Sequence, residues 1–242
     1  GDSARIFALS TTGVALGQWQ INIPNPTDWE AMDSFVIGGK AYLLLADTGD
    51  NLRWRPFVSV LVVAEPEIDS NNQIPLEPIW QKSFRYPDGP RDVEAVAVDT
   101  LRGEILLLSK RNVPNELYRI DLEQIKTSAD LELIAEKVAD IYSIPRLNQG
   151  EESLFADAAP HMGKPTGMSI SANHLLVTTL KDAYLLNRAD LTQPAIAIHL
   201  PYIGQREAIT FARNANNSAY ISRERHNGKE IADIFRVDFE LP

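Results

Sequence analysis

The stretch Arg91-Asp92-Val93-Glu94-Ala95-Val96-Ala97-Val98-Asp99, followed by Gly103-Glu104-Ile105-Leu106-Leu107-Leu108-Ser109-Lys110, decides the fold. Its first part is rich in small and β-branched residues and carries one acid near its start. Its second part is strongly apolar and ends in a charge. That pattern spells a strand, a turn and a second, more deeply buried strand. Versions of the unit recur at Asp28–Ile37 with Lys40–Ala46, at Thr166–Ser171 with His174–Leu180, and at Glu207–Ala212 with Ala219–Arg223.

Outer strands follow each hairpin. Val58–Ala64 and Pro78–Tyr86 follow the first, and the loop between them centres on Ser70-Asn71-Asn72. Glu116–Leu122 and Leu131–Ile144 follow the second, with a helical turn at Leu122–Thr127. Ala183–Asn187 and Ala195–Leu200 follow the third, and Asp233–Phe239 the fourth, with no fourth strand evident after it. An acidic insertion, about Leu147–Lys164, interrupts the second unit. Short strands repeated four to a unit are the signature of an all-β chain of β-propeller type, built from four-stranded antiparallel blades. A lone sheet cannot cover both its faces, so blades stack face to face around an axis. Small residues near the axis, Ala31, Ala95, Gly167 and Ala208, suit the crowding there. A β-sandwich is the alternative architecture.

The first residues form another hairpin, Arg5–Ser10 with Leu16–Ile23, turning at Thr11-Thr12-Gly13. Gly1-Asp2-Ser3 ahead of it matches Gly49-Asp50-Asn51 ahead of Val58–Ala64, so the chain begins in mid-blade. Two closures fit. One is a five-bladed type lacking one inner hairpin. The other is a four-bladed ring in which Leu16–Ile23 completes the last blade. Residues 1–242 form a single domain in either case.

Composition narrows function. The 242 residues carry a net charge of -10, are 44% hydrophobic and 23% charged, and include no cysteine. That is a globular chain with no disulfide framework, no thiolate chemistry and no Cys-bound metal. Its acidity argues against nucleic acid, or an anionic membrane, as an electrostatically bound partner. No apolar run reaches membrane-spanning length, and no signal-peptide pattern opens the chain. Oligomeric state is not legible in these residues.

Aligned on their inner strands, Asp28-Trp29-Glu30-Ala31, Asp92-Val93-Glu94-Ala95 and Gln205-Arg206-Glu207-Ala208 superimpose, and the third unit has Pro165-Thr166-Gly167. Glu30, Glu94, Glu207 and Thr166 are therefore expected to converge on the axis. Carboxylates brought together repel, and a hard cation, Ca²⁺ or Mg²⁺, would relieve them. The alternative is that each Glu latches its blade to backbone N–H groups of the neighbour. A second ring, Asp47, Lys110, Lys181 and Glu224, ends the second strands, with Arg111 and Arg223 beside it. Such mixed charge suits either a small anionic or zwitterionic ligand at the channel mouth or a set of mutual salt bridges.

Other signals are weaker. Asp47-Thr48-Gly49-Asp50-Asn51 lacks the later Glu of a calcium loop and reads as an Asx/Gly turn. His161, His174, His199 and His226 form no zinc pattern, and no Gly-x-Ser-x-Gly elbow exists. Asn216-Asn217-Ser218 is a glycosylation triplet that a polar hairpin turn also explains.

In these motifs the chain resembles a group of bacterial, mostly uncharacterised, exported β-propeller proteins. The residues that carry the resemblance are Asp28-Trp29-Glu30-Ala31, Ala46-Asp47-Thr48-Gly49-Asp50-Asn51, Tyr86-Pro87-Asp88-Gly89 with Asp92-Val93-Glu94-Ala95, Thr166-Gly167 and Glu207-Ala208-Ile209. Ala31 departs from the pattern, which has a carboxylate there. The resemblance implies a propeller in the periplasm or outside the cell and transfers no activity. A looser similarity runs to phytase-like esterase and calcium-dependent lactonase propellers, which hold metal on the axis. Two expectations follow: a module binding a small molecule or protein at the channel mouth, or a Ca/Mg-dependent hydrolase of phosphate esters or lactones.

Overall fold

The computed structural model describes residues 3–68, 74–128, 132–213, 215, 217–223 and 234–241. The chain is all-β, and its sheets are antiparallel blades of the β-propeller kind. The hairpin β1 (Arg5–Leu9) and β2 (Ala15–Gln20) forms a two-stranded sheet of its own. The first blade follows as β3 (Ala31–Ile37), β4 (Lys40–Asp47), β5 (Val58–Ala64) and β6 (Trp80–Arg85). The second comprises β7 (Val93–Asp99), β8 (Glu104–Ser109) and β9 (Asn115–Asp121), with a helix α1 (Leu122–Thr127) after them. Next come β10 (Glu132–Ile134) and β11 (Glu136–Ile141), then the helices α2 (Gln149–Phe155) and α3 (Ala159–Met162). The third blade is β12 (Pro165–Ile170), β13 (His174–Thr179), β14 (Ala183–Asn187) and β15 (Ile196–Ile198), and the last is β16 (Arg206–Phe211), β17 (Ser218–Arg223) and β18 (Ile234–Asp238).

Five of these bounds, at β5, β7, β8, β14 and α1, coincide with those expected from sequence. Helix α1 starts where it does because the Asp121 carboxylate accepts from Glu123 N at 2.7 Å while Leu122 and Ile125 turn inward. Leu131–Ile144 is corrected. Leu131 lies outside the described residues, and the rest is two strands rather than one. β10 runs parallel to β6 at the edge of the first blade, whereas β11 edges the second. The break falls at Ala135, whose N–H donates to Arg85 O at 2.9 Å and whose methyl is buried with Leu133. The chain therefore stays on the first blade until its apolar residues are spent. The acidic insertion is largely helical, as α2, a 3-10 turn at Ala156–Ala158, and α3.

Two compact units divide the chain, residues 1–107 with 118–137, and residues 108–117 with 138–242. In the first unit, Leu44, Val60, Val62 and Phe84 of one blade meet Val96, Val98, Ile105 and Leu107 of the next in one core. Ile6, Trp19 and Ile21 of the N-terminal hairpin lie on the opposite face of the first blade, over Leu43, Leu45, Leu61 and Val63. Among the described residues β2 pairs with β1 alone and the last sheet has three strands. In the second unit, Leu176, Leu185, Ile209 and Ile221 centre the core.

Neighbouring inner strands are tied by the same device in each unit. Val98 N donates to Asp33 Oδ2 at 2.7 Å, tying β7 to β3. Phe211 N donates to Ser169 Oγ at 3.1 Å, tying β16 to β12. Asp33 and Ser169 each stand three residues beyond the aligned Glu30 and Thr166.

Candidate functional site

In the first unit the inner-strand starts are held by a turn that has little freedom. Asp47, ending β4, accepts from Thr27 N and Asp28 N at 3.0 Å each and pairs with the Arg55 guanidinium at 2.8 Å. Thr48 Oγ donates to Val93 O at 2.8 Å, and Val93 N donates back to Thr48 O at 3.3 Å. Asp50 N donates to the Asp92 carboxylate at 3.0 Å, and the Asp50 carboxylate accepts from Trp54 N and Arg55 N, also at 3.0 Å. Asp47–Asn51 is thus a turn whose acids cap backbone, as its composition indicated. A Cβ on Gly49 would strike the Asp28 carboxylate and sit 2.8 Å from Glu30 Cγ, so both side chains would have to move.

These contacts deliver the two predicted glutamates of this unit. Glu94 lies on β7 with only 3% of its surface exposed, and Asp92 beside it is wholly buried. Glu30 is half-buried just ahead of β3, its N–H donating to Ala46 O at 3.1 Å. Burial of acids costs free energy unless hydrogen bonds or cations compensate. For Asp47 the Arg55 guanidinium is that compensating charge, and it was not singled out from the sequence.

The second unit carries the other members. Thr166, on β12, is 1% exposed, and its hydroxyl has no hydrogen-bond partner. Glu207 is half-buried on β16. Next to it Arg206 is completely buried, its guanidinium donating to Thr179 O at 2.8 Å and Pro201 O at 2.6 Å. Burial pushes that guanidinium down to about 10, with Asp182 opposing. Arg206 was legible only as the residue before an aligned Glu, since the pattern carries Trp29 and Val93 in that column.

The second ring is drawn into local pairs. Lys181 contacts the Glu151 carboxylate of α2 and lies 3.6 Å from Asp182 Oδ2. The Glu151 hydrogen bond holds the lysine above its ordinary value, and the lysine holds Glu151 below its own. Asp182 is buried and also faces His199 Nδ1 at 3.4 Å. Lys110 follows β8, and its carbonyl accepts from Asn115 Nδ2 and from the Arg146 guanidinium, at 3.5 Å each. Its ammonium, with those of Lys164 and the Arg111 guanidinium, helps burial lower the His161 pKa. Glu224 lies outside the described residues, as do His226 and Asn216. Asp47 and Lys181 are thus paired with residues outside the expected ring, Arg55 for the one and Glu151 with Asp182 for the other.

Among the described residues no three His, Asp or Glu side chains are gathered so as to hold a metal ion. No described helix is long and apolar enough to cross a membrane.

No protein-family model matches the chain, and no curated protein does. Similar solved structures include Myxococcus xanthus glutaminyl cyclase, at 10% identity and TM-score 0.46, covering 89% of this chain and 68% of that one. The Neurospora crassa Pan2 WD40 domain aligns at 15% identity and TM-score 0.44, over 98% of this chain and 56% of that one. A chain of a nidogen/laminin complex aligns at 10% identity and TM-score 0.46, over 98% and 90%.

Proposed function

We propose that the chain is one exported β-propeller domain, periplasmic or extracellular, serving as a binding module. Its ligand or partner is taken at the inner-strand starts. The observation that carries this reading is a buried polar position repeated along the chain: Glu94 at 3% exposure and Thr166 at 1%, with Glu30 and Glu207 half-buried at the aligned places. A buried threonine hydroxyl without a hydrogen-bond partner at this repeat position asks for one. Carboxylates there favour a cationic group, either a hydrated Ca²⁺ or Mg²⁺ or an organic cation.

Calorimetric titration with Ca²⁺ and Mg²⁺ tests this. Binding to the wild type, weakened at least about tenfold in Glu94→Gln, supports it. No heat with either ion, together with no effect of choline or arginine on melting, contradicts it. Turnover of phosphate-ester or lactone substrates in the same samples would replace the binding module with a metal-dependent hydrolase.

A further inference from the structure

The second unit carries the repeated position inside a distortion of each inner hairpin. Along β12 and β13 the register shifts between Pro165 and Gly167, and along β16 and β17 it shifts between Arg206 and Ala208. Thr166 and Glu207 are therefore each the extra residue of a β-bulge, and bulges re-aim side chains. The two bulges adjoin, since a Cβ on Gly167 would lie 3.0 Å from Glu207 O and 3.2 Å from Ala208 Cα. Thr166 thus lies beside the part of β16 that carries Arg206.

Arg206 is wholly buried, yet among the described residues no ion pair neutralises it. Its guanidinium donates to Thr179 O and to Pro201 O, both neutral carbonyls, and its Nε–H meets nothing. Asp182 acts on it only through space. That carboxylate serves Lys181 Nζ at 3.6 Å, His199 Nδ1 at 3.4 Å and Leu200 N at 3.3 Å. Thr166 has the matching deficit. The hydroxyls of buried Thr178 and Thr179 donate to Thr179 O and Asp182 O, whereas that of Thr166 has no partner. Thr179 also faces Pro165 across the ladder, so Arg206 grips the backbone beside Thr166. A buried cation without a counter-charge is costly, as is a buried hydroxyl without a partner. A water would meet the hydroxyl and the Nε–H and leave the charge uncompensated. An anion meets all three needs.

We propose that the second unit binds a carboxylate group here, its oxygens accepting from the Arg206 Nε–H and from the Thr166 hydroxyl. A carboxylate suits a guanidinium because its two oxygens match the fork of N–H groups, and its single charge balances that of Arg206. Pro201, whose carbonyl accepts from Arg206 Nη2, is an exposed residue, so the site lies close under the surface. The group belongs either to a free small acid or to the carboxylate end of a larger ligand. Its place in the second unit separates it from the cation proposed at Glu94.

The probes are sodium formate, acetate and butyrate, each added to the whole chain in EDTA and followed by thermal melting beside sodium chloride of equal ionic strength. The expected result is a saturable rise in melting temperature with carboxylate that chloride does not give. A rise confined to formate and acetate identifies a free small acid, and tighter binding of butyrate identifies the end of a larger ligand. Thr166→Val removes an unmet hydroxyl. It should melt no lower than the wild type without carboxylate and bind carboxylate at least about tenfold more weakly. Arg206→Lys keeps the charge without the fork and should weaken binding likewise. Arg236→Gln, at an exposed position on β18, should leave it unchanged. No rise with any carboxylate, or equal rises with chloride and formate, overturns the proposal. So does a Thr166→Val protein that melts lower and binds carboxylate as the wild type does. Because no divalent cation is present, failure here leaves the cation reading of Glu94 standing, and the reverse.

Discussion

The pair β3–β7 in the first unit and the pair β12–β16 in the second solve one packing problem with different chemistry. Each needs a donor–acceptor bond between adjacent inner strands. The first uses a carboxylate, Asp33, and the second a hydroxyl, Ser169. The first has Ala31 and Ala95 where the second has Gly167 and Ala208. Losing one methyl lets the second pair approach closely. A Cβ on Gly167 would lie 3.0 Å from Glu207 O and 3.2 Å from Ala208 Cα, both backbone atoms. The difference teaches that close approach was gained with glycine in one pair and a charge was retained in the other.

Gly167→Ala breaks the contrast most severely. The backbone of β16 must yield, and the expected loss is about 2–3 kcal/mol in chemical denaturation. Ala95→Gly, at the aligned place in β7, should cost only about 1 kcal/mol, the ordinary glycine penalty within a strand. Equal losses would remove the claim that the second pair is the tighter one.

The Asp33 latch adds a pH dependence that Ser169 lacks. Desolvation by burial raises the Asp33 carboxyl from 3.8 to about 6, against the hydrogen bonds from Val98 N and Ser34 N that lower it. The folded state then holds this proton more tightly than the unfolded one. Its contribution is complete below about pH 4 and is lost as pH rises through about 6. Asp33→Asn keeps an acceptor for Val98 N without the charge. It should match the wild type near pH 4 and exceed it by roughly 1 kcal/mol at pH 7.5, after discounting for partial exposure. Ser169→Ala should cost about 1 kcal/mol at every pH, one hydrogen bond's net worth. A pH-independent Asp33→Asn would mean that its carboxyl is not desolvated.

Much of this was readable in the residues. Strand bounds at β7, β8 and β14 followed from apolar runs closed by Asp99, Ser109 and Asn187, because burial on both faces leaves a continuous signal. The repeated Glu column was readable for the same reason. The partner of Asp33 was not, since a repeat alignment fixes a position along a strand and says nothing of which amide faces it. Nor was the division at Ala135, where one alternating run feeds two sheets. Arg55 and Arg206 were hidden because guanidinium groups drawn inward, half-buried in one and buried in the other, look like surface charge in composition.

The repeated inner-strand position is proposed to serve a ligand, while Asp33 and Ser169 tie the strands. Thermal melting of the wild type and Glu94→Gln, each with and without millimolar Mg²⁺ or Ca²⁺, tests it most directly. The account predicts that the wild type melts higher with the cation, by about 2.7 kcal/mol of stability at a hundredfold excess over Kd. Glu94→Gln should melt no lower than the wild type without cation and gain nothing from it. A Glu94→Gln protein that melts several degrees lower without cation, beside a wild type that no cation moves, would make Glu94 a latch and contradict the claim.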